Sequence, residues 1–152
     1  MICAIDPGHT NCAYVIMHPE TREVVESGIR TVSRPHYSND AEVAQNCVQL
    51  MIELCAKHNI ERLCVEFQGL GRAMTVVESS FLAAAMCCGI SRVETVNPLT
   101  LKAYYKGLGC RGNRQNKKDA EALIVEMGYP NFNNHVADCI LIALYALDGP
   151  KI

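Results

Sequence analysis

No run of apolar residues in this 152-residue chain is long enough to cross a bilayer: Cys139 to Leu147 falls well short of the ~20 residues a membrane helix needs. The chain opens directly on a strand-like stretch, with no basic region leading into a long apolar one, so no signal peptide is expected. Its nine cysteines include no pair at the two-residue spacing of a zinc knuckle. Their odd number and their place inside apolar runs predict buried thiols in a reducing intracellular compartment, not a secreted disulfide framework. Repeats, low-complexity tracts and linkers are also missing, so residues 1–152 are expected to form one domain. With 49% apolar and 20% charged residues the chain is a folded globular protein, and at this size it buries roughly 68–70% of its unfolded surface.

Excess charge is lacking too, since the formal net charge is −2. The distribution says more than the sum. Lys102, Lys106, Arg111, Arg114, Lys117 and Lys118 are six of the 14 basic residues and fall within seventeen positions that hold no acid. Tyr104 and Tyr105 interleave with them, and Gly107, Gly109 and Gly112 loosen the backbone. A local basic stretch on a mildly acidic protein is either a solvated helix face or a contact for nucleic-acid phosphates.

The hydrophobic pattern predicts strands at Met1 to Ile5, Asn11 to Met17 and Glu23 to Thr31, forming an antiparallel meander around a turn at His18-Pro19-Glu20-Thr21. After a polar loop from Ser33 to Asn39, Asn39 or Asp40 caps a helix running to about His58. Val43, Cys47, Leu50, Met51, Leu54 and Cys55 give that helix one core-facing stripe. A fourth strand, Glu61 to Glu66, leads through the glycine-rich Gln68 to Arg72 into a helix from about Met74 to Cys88. The part from Phe81 to Cys88 is apolar all round, which predicts cover on both faces, one of them by a further helix or a partner subunit. Val93 to Val96 is a short fifth strand. Asn97-Pro98 opens the next helix, Asn116 caps another that ends near Gly128, and the last runs from Asn134 to about Leu147 before Gly149-Pro150. The expected fold is α/β: a mixed five-stranded sheet, three antiparallel strands then two parallel, with helices on both faces.

Three carboxylates fall at the ends of apolar elements. Asp6 closes the first strand in Ile5-Asp6-Pro7-Gly8, Glu66 closes the fourth, and Asp138 lies in His135-Val136-Ala137-Asp138 on the last helix. Acids at such places are costly unless a cation neutralises them. Parallel neighbouring strands would bring Asp6 and Glu66 out at one sheet edge, where open sheets bind ligands. His135 and Asp138, three apart, share a helix face that can be laid across that edge. An oxygen-rich set with one imidazole suits Mg²⁺ or Mn²⁺ better than zinc. Gly8 permits a close backbone approach and Pro7 fixes the exit from the strand. Two ions about 3.5–4 Å apart can activate water and stabilise the leaving oxygen of a phosphodiester. Asp6 is expected to bridge them, Glu66 and Asp138 to hold one each, His135 to ligate or to position water, and Lys102 to steady the phosphate. The bland alternatives are a common Asp-Pro-Gly turn, a Glu66–Arg72 ion pair, a solvent-facing Asp138 and a first-turn polar His135.

These motifs together resemble the RuvC-type Holliday-junction resolvases of the RNase H-like superfamily. The likeness runs through nearly the whole chain: Ile5-Asp6-Pro7-Gly8, Val65-Glu66, Pro98 with Lys102, the basic stretch to Lys117-Lys118, and His135-Val136-Ala137-Asp138. The Lys117-Lys118 helix entry and the Val-Ala-Asp ending are similar to the resolvases of poxviruses and other large DNA viruses. The resemblance implies a Mg²⁺-dependent homodimer that resolves four-way DNA junctions by symmetric nicks, with Asp6, Glu66, His135 and Asp138 as the metal site. It also implies Lys102, with Lys118 or Lys117, on DNA, a role in recombination and repair, and a host-cell cytoplasmic location if the protein is viral. The sequence departs from the pattern at His135, where the family usually has an aspartate, and after Glu66, where only Phe67 and Leu70 offer a bulky wedge. Two other classes stay open. One is an actin-like kinase, suggested by Asp6-Pro7-Gly8-His9-Thr10-Asn11 but short of a second lobe. The other is a catalytically weak or silent RNase H-like module that binds branched nucleic acid.

Overall fold

The computed structural model describes residues 1–34, 39–67, 69, 71–105 and 115–149, the side chains of 115–119 excepted. Lys106, Arg111 and Arg114 lie outside the described residues, as do Leu70 and Cys110; Lys117 and Lys118 are described as backbone only.

Five strands, β1 (Ile2–Asp6), β2 (Asn11–Met17), β3 (Val24–Thr31), β4 (Arg62–Glu66) and β5 (Arg92–Val96), form one sheet in the order β3-β2-β1-β4-β5. The β1–β2 and β2–β3 pairs are antiparallel, and β1–β4 and β4–β5 are parallel. This is the mixed sheet expected from the sequence. Helix α1 (Asp40–Lys57) and α2 (Arg72–Cys87) cover one face; α3 (Pro98–Tyr104), α4 (Gln115–Glu126) and α5 (Asn134–Asp148) lie against the other. Among the described residues no helix is long and apolar enough to cross a membrane.

The period of two sorts the strands between the layers. Ile2 and Ala4 of β1 and Cys64 of β4 join the core under α5, while Cys3, Ile5, Leu63 and Val65 join the core under α1 and α2. The parity carries Asp6 and Glu66 onto the α5 side. The helices start where side chains satisfy their first amides. Asn39 and Glu42 form a capping box on α1, Asn97 accepts from Leu99 N–H with Pro98 in the first turn of α3, and Asn133 accepts from Val136 N–H on α5.

Most element ends shift by a residue or so from the sequence reading, and three of the differences have a local cause. β1 runs one residue further, because Asp6 pairs with Ala13 of β2. α2 begins at Arg72, not near Met74, because Gly71 at φ 102° turns the chain into the helix and Arg72 is held by Asp40 at the start of α1, 2.8 Å away. α4 begins at Gln115, so Asn116 lies in its first turn and does not cap it; asparagine is tolerated there as well as at a cap, which makes the local signal ambiguous. α2 is covered by the sheet and by the neighbouring helix α1, as expected, but a further side of its apolar stretch stays open. Phe81, Ala84 and Ala85 are buried, whereas Ala83, Cys87 and Met86 (63%) are exposed.

Candidate active site

β1 and β4 are hydrogen-bonded neighbours with Ile5 opposite Val65, so Asp6 and Glu66 leave the sheet side by side at the same height and on the same face. Parallel strands there are ~4.8 Å apart, close enough for the two carboxyl groups to meet. They do: Glu66 and Asp6 share a side-chain hydrogen bond. Burial, and then the Asp6 charge, that shared bond and the Asp138 charge, push the Glu66 carboxyl up from its ordinary 4.5 to about 8, while Lys102 pulls the other way. A proton retained between two acids at neutral pH does the work that a cation would otherwise do.

α5 crosses above this pair. Its apolar residues Val136, Ala137, Cys139 and Ile140 go into the core, and the first turn presents His135 and Asp138 to the rim. His135 Nδ1 lies 3.3 Å from Asp6 Oδ2, with the Asp6 side chain 13% exposed and that of His135 49%. Asp138, neither buried nor fully exposed, lines a small cavity with Glu66, Lys102 and Tyr105. The sequence-derived set of Asp6, Glu66, His135, Asp138 and Lys102 therefore meets at one rim, contributed by β1, β4, α5 and α3. The Glu66–Arg72 alternative fails, since Arg72 pairs with Asp40. Lys106, Arg111, Arg114, Lys117 and Lys118, expected on DNA, fall where no side chain is described.

Sequence reasoning missed three supports of the site. The Cys139 sulfur hydrogen-bonds the Asp6 backbone and ties α5 to the end of β1; burial, then the Asp6 charge, keeps it a thiol. Its position beside Asp138 was the only clue. Tyr105 donates its hydroxyl to Leu141 O at 2.8 Å, which fixes α3, and Lys102 with it, against α5 one turn beyond Asp138. Cys12 Sγ donates to Gly8 O at 3.7 Å and holds the loop after Asp6. In that loop a Cβ on Gly8 would lie 2.2 Å from Asn11 O, so no other residue fits without movement.

Among the described residues no three His, Cys, Asp or Glu side chains are arranged to hold a metal ion. Asp6 and Glu66 are hydrogen-bonded to each other, and His135 leans on Asp6. The chemistry of the set nonetheless fits a hard divalent cation: carboxylate oxygens, one imidazole, and a proton that a cation can displace.

No family model matches the chain, and no curated protein matches it by sequence. Solved structures match its shape. Thermus thermophilus RuvC in complex with Holliday junction substrate aligns at a TM-score of 0.72 and 18% identity, covering 99% of this chain and 97% of that one. The yeast mitochondrial Holliday junction resolvase Ydc2 aligns at 0.64 and 17%, covering 96% and 77%. Fowlpox virus resolvase, solved with substrate Holliday junction DNA, aligns at 0.61 and 14%, covering 99% and 100%. The chain has the RuvC-type Holliday junction resolvase fold, an RNase H-like α/β fold.

Proposed function

We propose that this chain is a structure-selective endodeoxyribonuclease that resolves four-way DNA junctions by divalent-metal-dependent phosphodiester hydrolysis, acting as a homodimer. The observation that carries the reading is the Asp6–Glu66 contact on adjacent parallel strands, with Asp138 and His135 delivered over it by α5. Two of the fold's relatives were solved on Holliday junction DNA, which supports the choice of substrate. Asp6, Glu66 and Asp138 would hold Mg²⁺, with Mn²⁺ able to substitute, and His135 would ligate or orient water. When bound, the metal supplies a more acidic water and a counter-charge for the phosphate.

The chain's own residues do the rest. Glu66 would have to be ionised to hold the ion, and Asp6 would hold it in place of its present contacts with Glu66 and His135. Lys102, exposed on α3 and held by the Tyr105 clamp, supplies positive charge beside the strand being cut. The stretch from Lys106 to Lys118 adds phosphate contacts. The uncovered face of α2, with Ala83, Met86 and Cys87, supports an apolar seam for a second copy. A twofold dimer with two such rims suits a four-way substrate. Cys55, Cys87 and Cys88, at least partly exposed and free, support a reducing compartment. A catalytically silent junction-binding module draws its support from His135, which occupies Asp6 in this arrangement.

The test is nicking of a labelled four-way junction with Mg²⁺ or Mn²⁺, against linear duplex and a fork. Symmetric nicks in the junction, with the duplex spared, are expected. Tight binding without cleavage under either ion would assign the silent module instead.

A further inference from the structure

The loop that follows Asp6 ends in Asn11, the first residue of β2. Asp6 is in register with Ala13, and Ala13 belongs to the core under α5. Asn11, two residues before Ala13 on the same strand, therefore stands on the face of the sheet that carries Asp6 and Glu66. Strand spacing of ~4.8 Å and a rise of ~3.4 Å per residue put it roughly 8 Å from Asp6, one strand across and further out along the rim. α5 leaves it exposed.

The surroundings fix both the place and the orientation of its side chain. Thr10 O accepts from Val32 N–H (2.8 Å) and Ser33 N–H (3.2 Å), which anchors the chain just before Asn11. On β3, Thr31 is in register with Asn11 and donates its hydroxyl to Asn11 Oδ1 at 2.8 Å. A carboxamide carries one acceptor oxygen and two N–H donors. With the oxygen engaged by Thr31, the Nδ2 hydrogens are what the side chain offers to solvent. The nearest residues of β2 and β3 on this face, Ala13, Ile29 and Thr31, are uncharged, so none of them repels an anion. An uncharged donor also suits the position. A lysine or arginine about 8 Å from Asp6 would oppose a divalent ion held there, and an amide does not.

We infer that Asn11 is a DNA contact: its Nδ2 donates to a non-bridging oxygen of the phosphodiester next to the one cut at Asp6. The step from Asp6 to Asn11 is close to the step between neighbouring phosphates along a strand. Thr31 is the positioning residue that turns the amide donor outward. The inference rests on the proposed nuclease reading, which supplies the strand lying over Asp6.

The experiment measures binding of synthetic four-way junctions by fluorescence anisotropy without divalent metal, with a single uncharged methylphosphonate moved through the linkages around the nick. Asn11→Asp replaces the donor by a negative acceptor of the same size and should weaken binding of the unmodified junction about tenfold. A methylphosphonate at one linkage, adjacent to the one cut, should restore most of that loss, because a neutral linkage is not repelled. In the wild type the same modification should weaken binding, and in Asn11→Ala it should have no effect. Thr31→Val keeps the shape of threonine and deletes its hydroxyl. It should weaken binding a few-fold in the wild type and add nothing in Asn11→Ala. Wild-type affinity in Asn11→Asp, or a methylphosphonate effect next to the nick that is equal in wild type and Asn11→Ala, would overturn the contact alone. A wild type that binds no four-way junction would bring down the proposed function and the contact with it.

Discussion

Glu66 is where the chemistry of the rim can be read in solution. In the folded protein its carboxyl holds a proton up to about pH 8, against an ordinary value of 4.5. The folded state therefore binds more protons than the unfolded chain across that window, and stability falls as pH rises through it. Metal-free protein should lose thermal stability between pH 5 and pH 9, and Glu66→Gln, which fixes the neutral form, should flatten that loss. Mn²⁺ should stabilise more at pH 8 than at pH 5, since it competes with the proton. Melting curves of both proteins across pH, with and without Mn²⁺, check this, and parallel curves would contradict it. Gly8 gives a second residue-scale outcome. Gly8→Ala forces a Cβ against Asn11 O and is expected to cost about 1–3 kcal/mol in denaturant unfolding and to abolish cutting.

At the scale of elements, much of the site was legible because strand parity is legible. Ile2, Ala4 and Asp6 share one face of β1, and Cys64 and Glu66 share the matching face of β4. A reader of the sequence who sees both runs end in an acid can expect the acids to meet once the strands are parallel neighbours. His135 and Asp138, three apart on a helix otherwise buried, follow by the same logic. The clamps that set the angle between elements were not legible, because Tyr105 to Leu141 O and Cys139 to the Asp6 backbone join segments distant in sequence. Nor did α2 announce that one apolar face would stay open. Tyr105→Phe keeps the ring and deletes its hydrogen bond. It should lower stability by only about 1 kcal/mol yet slow nicking several-fold by letting Lys102 drift. Combined with Lys102→Ala it should add little further loss in single-turnover rate. Additive rate losses in the double variant would refute a positioning role.

For the whole molecule, assembly and charge decide whether one rim can serve a four-way substrate. The open apolar face of α2 predicts a dimer at micromolar concentration. Met86→Asp, at a position 63% exposed and so harmless to the core, should shift it to monomer in light scattering and uncouple the paired nicks. A net charge of −2 is compatible with DNA binding only if the basic stretch faces the strand. Lys117→Ala with Lys118→Ala should then weaken junction binding and reduce its salt dependence. The measurement that tests the account most directly compares wild type with Asp6→Asn on one labelled four-way junction, scoring cutting with Mg²⁺ and binding without it. Loss of more than nine-tenths of the cutting rate with binding intact is the predicted result. Cutting by Asp6→Asn at a tenth of the wild-type rate or faster would contradict a shared cation site at the ends of β1 and β4.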